Sequence, residues 1–127
     1  MKKSLGIYIH IPFCVRKCKY CDFLSGPAGK DVQEKYVEML LKEIEQYQEV
    51  LQNSCTDTIF FGGGTPSILD GEDIVRIMEK LDSAGNISET AEISIEANPG
   101  TVTEDKLLLW KKAGINRISF GLQSADD

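Results

Sequence analysis

Three cysteines within eight residues, Cys14, Cys18 and Cys21, are the part of this sequence best equipped for chemistry. The C-x3-C-x2-C spacing lets three thiolates embrace one metal centre from a single loop. Arg16, Lys17 and Lys19 interleave with them and favour the thiolate form. A fourth cysteine, Cys55, opens the alternative of a four-ligand zinc site. It precedes the second strand of the chain, whereas the cluster follows the first. In a parallel sheet those ends are opposite, about five residues or ~16 Å apart. Cys55 is therefore expected to be a plain thiol near the far rim. Three thiolates with no fourth protein ligand suit a 4Fe–4S cluster with one open iron, the usual mark of a metal site that binds substrate.

Other candidates are quieter. Gly62-Gly63-Gly64-Thr65-Pro66 follows a strand and lets the backbone approach a ligand, but it is neither the Walker sequence nor G-x-G-x-x-G. An ordinary turn between strand and helix is the competing reading. Glu96 and Gln123 are polar residues at strand ends, and simple rim residues would look the same. His10, the single histidine, is expected to be a hydrogen-bonded structural residue, and Trp110 a core residue.

The elements that must carry these residues alternate. Leu5 to Pro12 reads as a strand with Ile7, Ile9 and Ile11 on one face and Tyr8 and His10 on the other. Asp31 to Leu51 reads as an amphipathic helix, with Val32, Tyr36, Leu40, Ile44, Tyr47 and Leu51 as its apolar stripe and Asp31 and Glu34 at its start. Asp57 to Phe61 is a second strand. Gly71 to Leu81 is a second helix, capped by Asp70, with Ile74, Ile77, Met78 and Leu81 inward. Glu92 to Ala97 is a third strand. Thr103 caps a helix from Glu104 to Ala113 that Gly114 ends, and Arg117 to Leu122 is a fourth strand.

Strand–helix alternation predicts a parallel sheet with right-handed crossovers. Strands covered on both faces read as continuous apolar runs. Here the second face is polar: Tyr8 and His10, Ser94 and Glu96, Ser119 and Gln123. That pattern predicts the α/β class, as the N-terminal portion of a partial (β/α) TIM-like barrel with helices outside. Sites in such folds lie at the C-terminal ends of strands, where the cysteines, the glycine run, Glu96 and Gln123 all fall. Four strands make half a barrel, so residues 1–127 are expected to be a fragment of a larger domain.

Composition narrows the function classes. Hydrophobic residues make up 42% and charged residues 27% of the 127 positions, which is ordinary for a globular chain. The net charge of −6 argues against nucleic acid as a main partner. No apolar run approaches the ~20 residues of a membrane span, and the N-terminus lacks the apolar stretch of a signal peptide. A cytoplasmic protein with metal or redox cysteines, rather than a disulfide scaffold, is expected.

Taken in order, Tyr8-Ile9-His10-Ile11-Pro12-Phe13-Cys14, Cys18, Tyr20-Cys21-Asp22-Phe23, Phe61-Gly62-Gly63-Gly64-Thr65-Pro66-Ser67, Glu96-Ala97-Asn98-Pro99-Gly100-Thr101 and Gly114 to Ser124 resemble the radical S-adenosylmethionine superfamily. Within it they are similar to the oxygen-independent coproporphyrinogen III oxidase-like group, regarded largely as haem chaperones. The resemblance implies that Cys14, Cys18 and Cys21 hold a 4Fe–4S cluster whose fourth iron takes the amino and carboxylate groups of S-adenosylmethionine. No catalytic residue is assigned beyond that cluster. It implies that Tyr8 and Tyr20 line the S-adenosylmethionine site, that Gly63, Gly64 and Thr65 receive the methionine amino end, that Glu96 contacts the ribose, and that Gln123 is a further polar contact. In such enzymes an electron from the cluster cleaves the sulfonium, and the resulting 5′-deoxyadenosyl radical abstracts hydrogen from the substrate.

The true coproporphyrinogen dehydrogenases carry a cysteine two positions after the third cluster cysteine, where this chain has Phe23. They also lack the Asn-Pro-Gly sequence present here at Asn98 to Gly100. Both departures favour the haem-chaperone branch, with haem as a further ligand and a haem-acceptor protein as partner. Oxidative decarboxylation of a porphyrinogen is the alternative. Either activity implies an electron donor, and residues 1–127 alone are expected to be inactive.

Overall fold

The computed structural model describes residues 3–13 and 30–120. Four strands, β1 (Lys3–Ile11), β2 (Ser54–Gly63), β3 (Ile87–Ala97) and β4 (Arg117–Phe120), lie in the order β1-β2-β3-β4, all parallel. Helices α1 (Lys30–Gln46) and α2 (Gln48–Gln52) connect β1 to β2, α3 (Gly71–Ala84) connects β2 to β3, and α4 (Glu104–Ala113) connects β3 to β4. Single 3₁₀ turns, Pro66–Ile68 and Pro99–Thr101, follow β2 and β3. This is the α/β arrangement predicted from the alternation.

Period-two patterning divides the sheet into unlike faces. Ile9, Ile11, Ile59, Phe61, Ile93, Ile95 and Ala97 are buried beneath the helices, against Val37, Ile74, Ile77, Leu81 and Trp110. Each fully covered side chain of this kind contributes roughly 1.5–3 kcal/mol. The opposite face carries the row Tyr8, Phe60, Ser94 and Arg117 in register, and one step further His10 pairs with Gly62. Ser94 is buried on that face, while Tyr8 is 57% exposed.

The register slips at two places. Asp57 is an extra residue against β1, between Thr56 opposite Leu5 and Thr58 opposite Gly6. Such a bulge keeps the in-out alternation of the second half of β2 in phase with its neighbour. Against β3, Thr56 pairs with Ile87 but Thr58 with Glu92. Regular pairing of β3 thus begins at Glu92, the predicted start of the strand, although the extended backbone reaches back to Ile87.

Two local expectations are corrected. Of the stripe predicted for the first helix, Ile44 and Leu51 are buried and Tyr36 and Leu40 pack against the core, but Val32 and Tyr47 are exposed, and Gln33 and Val37 are buried beside the stripe. The helix is also interrupted at Tyr47. It has apolar residues on two sides, and the described residues cover only the one that meets the sheet and α3. Asp70 occupies the N-cap position of α3 with extended backbone, but its side chain makes no capping bond. Its carbonyl starts the ladder, accepting from Asp73 N–H at 3.0 Å. Elsewhere the caps are as expected: Thr103 Oγ1 accepts from Lys106 N–H, and Gly114 ends α4 at φ +109°.

Candidate functional site

The C-terminal ends of β1, β2 and β3 are joined by main-chain bonds that use the glycine run. Gly64 N–H donates to Ile11 O at 2.7 Å and Thr65 N–H to Phe13 O at 2.6 Å. A Cβ on Gly64 would lie 2.3 Å from the Phe13 carbonyl oxygen, so no larger residue permits this approach. The turn after β2 is therefore fastened to the residue from which the chain continues into Cys14. Phe13 is itself fixed. Its ring is buried and meets Tyr36 edge-on at 5.4 Å, and the Tyr36 hydroxyl donates to His10 O. Burial, aided by Glu43, raises the pKa of Tyr36 and keeps it a donor.

Gly63 turns the chain at φ +110°, a left-handed conformation that favours glycine. The space a Cβ would take is filled by the His10 ring, 2.6 Å from its Nδ1. His10 thus packs over the glycine turn, beside Tyr8 at 6.2 Å between ring centroids. Tyr8 in turn stacks on Phe60 at 5.6 Å, and both rings occupy the space above Gly62. The Gly63 N–H donates to Oε1 of Glu96 at 3.2 Å, which brings the β3 carboxylate to the glycine turn. A carboxylate accepts at several lone pairs, so Glu96 can also take a ligand hydroxyl.

Of the residues predicted from sequence, Tyr8, Gly63, Gly64, Thr65 and Glu96 come together at one rim. Cys14, Cys18, Cys21, Tyr20 and Gln123 lie outside the described residues. Cys55 sits opposite Ser4, at the other end of β2 from Gly63. They are eight positions apart along the strand, about 26 Å at ~3.3 Å per residue. That exceeds the separation expected from sequence because β2 extends beyond its predicted bounds at both ends. Phe60, Phe13 and Tyr36 belong to the site and were not singled out as functional residues. The alternation of β2 places Phe60 beside Tyr8 and was the available signal, whereas the Phe13 carbonyl and the reach of Tyr36 have no signature in a sequence.

The rim offers three strand ends, a glycine turn tight against Phe13, and a carboxylate fixed by a main-chain donor. The main-chain donors of the glycine turn and the Glu96 carboxylate are a donor and acceptor set that fits the polar groups of a small cofactor such as S-adenosylmethionine.

Known proteins share this sequence and this fold. The profile of the Radical SAM superfamily matches residues 8–127. The heme chaperone HemW of Buchnera aphidicola subsp. Schizaphis graminum is 44% identical over 121 residues, covering 94% of this chain and 32% of that protein. HemW of Escherichia coli K12 is 43% identical over 121 residues, with the same coverage. The solved structure of coproporphyrinogen III oxidase (HemN) from Escherichia coli, described as a radical SAM enzyme, superposes with a TM-score of 0.85 at 31% identity, covering 96% of this chain and 28% of that one. The four-stranded sheet is thus similar to the N-terminal part of that TIM-like barrel. The chain spans about a third of the length of the curated relatives it matches.

Proposed function

We propose a function that starts from one fact: the chain belongs to the Radical SAM superfamily. Residues 1–127 form the N-terminal part of its core domain. Cys14, Cys18 and Cys21 hold a 4Fe–4S cluster, and Tyr8, Tyr20, Gly63, Gly64, Thr65, Glu96 and Gln123 form the S-adenosylmethionine site. A cluster so held supplies one electron to the sulfonium of the cofactor. The chain's own residues orient that cofactor: the glycine turn takes its amino end and Glu96 its ribose. The whole protein is a cytoplasmic haem chaperone that transfers haem to an acceptor protein and draws on an electron donor.

The identity of 43–44% to proteins named heme chaperones carries this reading. Phe23 and Asn98-Pro99-Gly100 support it, since both depart from the coproporphyrinogen dehydrogenases. The likeness to HemN favours a second reading, oxidative decarboxylation of coproporphyrinogen III.

The test uses the protein carrying this chain, reconstituted anaerobically with iron and sulfide. Haem binding is followed by visible absorption, and porphyrinogen conversion by chromatography with S-adenosylmethionine and a reductant. Haem is expected to bind without conversion of coproporphyrinogen III. Iron is expected to be lost on replacing Cys14, Cys18 or Cys21 by Ala and kept in Cys55→Ser. Repeated turnover to protoporphyrinogen IX without haem binding selects the oxidase, and stoichiometric zinc without iron uptake overturns both.

A further inference from the structure

Behind the rim, the turn after β2 and the turn after β3 are tied together by a closed set of hydrogen bonds. Ser67 is fully buried, and its Oγ accepts from Asn98 N–H at 3.0 Å. Thr101 Oγ1 spends its proton on Asn98 O at 2.8 Å, so the Ser67 hydroxyl donates to Thr101 Oγ1. Asn98 Oδ1 accepts from Gly100 N–H at 2.8 Å and shapes the Pro99–Thr101 turn. Lys106 then bridges both turns, its Nζ donating to Ser67 O at 2.7 Å and to Thr101 O at 3.0 Å.

The position of Lys106 is unfavourable for its own helix. It stands in the first turn of α4, where the macrodipole favours anions, and Glu104 and Asp105 before it conform to that rule. The cation there donates to two carbonyls from two different turns. Local choices that conflict with their element concentrate at functional sites. The residues it ties are also informative. Ser67 is three residues after Gly64, and Asn98 is two after Glu96. The closed set therefore ties the turn that follows the glycines to the turn that follows Glu96.

We propose that Ser67, Asn98, Thr101 and Lys106 form a clasp that positions Gly63–Thr65 and Glu96 for S-adenosylmethionine. In this proposal none of the four contacts the cofactor. They act through the residues that do, and the inference rests on the cofactor reading given above. A supporting shell of this kind changes ligand affinity by roughly ten- to hundredfold when broken.

The experiment uses the reconstituted protein and the variants Lys106→Met, Lys106→Arg and Thr101→Val. Iron content, S-adenosylmethionine affinity by calorimetry, and the change that S-adenosylmethionine causes in the electron paramagnetic resonance spectrum of the reduced cluster are measured. Lys106→Met and Thr101→Val are expected to keep their iron, weaken binding by roughly tenfold and blunt the spectral change. Lys106→Arg, which can still reach two carbonyls, is expected to restore all three. Should Lys106→Met fail to fold, Thr101→Val decides, because it keeps the volume and removes one hydroxyl. Variants that melt at lower temperature but bind S-adenosylmethionine like the wild type make the clasp merely structural and overturn the proposal. Wild-type protein with a full cluster that binds no S-adenosylmethionine overturns the cofactor reading instead, and the clasp with it.

Discussion

Glu96 shows how one side chain acquires a role from its neighbours. In an isolated strand it is a half-exposed carboxylate on a polar face. Here Gly63 turns in a left-handed conformation, and its N–H fixes one oxygen of Glu96 at 3.2 Å. The carboxylate is thereby oriented before any ligand arrives, and preorganisation lowers the cost of binding. A hydrogen bond from a ligand hydroxyl to such a charged group contributes about 1.5–3 kcal/mol. Glu96→Ala is accordingly expected to weaken S-adenosylmethionine roughly ten- to hundredfold while leaving iron content near that of the wild type. Calorimetry showing unchanged affinity would return Glu96 to the status of an ordinary rim residue.

At the scale of elements, α3 carries a shifted carboxyl group. Asp73 is buried, and burial raises its pKa, with Asp70 adding to the effect and Arg76 opposing it at 3.3 Å. The folded chain therefore holds the Asp73 proton to a higher pH than the unfolded chain does. The resulting stabilisation is present in acid and is lost as pH rises through the folded pKa. Comparing thermal midpoints of the wild type and Asp73→Asn across the carboxylate range should show the variant gaining relative stability as pH increases. A constant difference, or one of opposite slope, refutes this.

The same elements show what a sequence makes legible. Helix α4 matched its predicted bounds from end to end, because Thr103 and Gly114 are local signals that need no tertiary context. The buried set of α3, Ile74, Ile77, Met78 and Leu81, followed from periodicity alone. In the first helix Tyr36, Leu40, Ile44 and Leu51 were read correctly, whereas Val32 and Tyr47 were not, because apolar residues stand on two sides and only packing decides which are covered. The strand ends that build the rim were readable as period-two patterns running into glycine or an acidic residue. The fastening of Gly64 to Ile11 and Phe13 was not, since main-chain bonds between distant turns depend on register rather than on residue type.

For the molecule as a whole, the sheet's open edges matter most. Among the described residues, β1 pairs with β2 alone and β4 with β3 alone. Beside β1 lies an apolar groove of about 470 Å³ that includes Ile7, Tyr36, Leu40 and Tyr47. At the other side Leu108 and Phe120 are 67% and 49% exposed. Natural sheets protect long edges with charge, proline or a covering element, and contiguous apolar surface beyond a few hundred Å² marks a contact surface. Lys3 is the single charged residue on β1, at its very start. The 127-residue chain studied by itself is therefore expected to associate as its concentration rises, through edge pairing at β1 and apolar contact near β4. Sedimentation velocity over a concentration series would show a growing fraction of faster species. Inserting a charge at the half-buried edge position, Ile7→Lys, should suppress that fraction without lowering helix content. A sedimentation coefficient that stays at the monomer value throughout the series would show that these edges are protected within the chain itself.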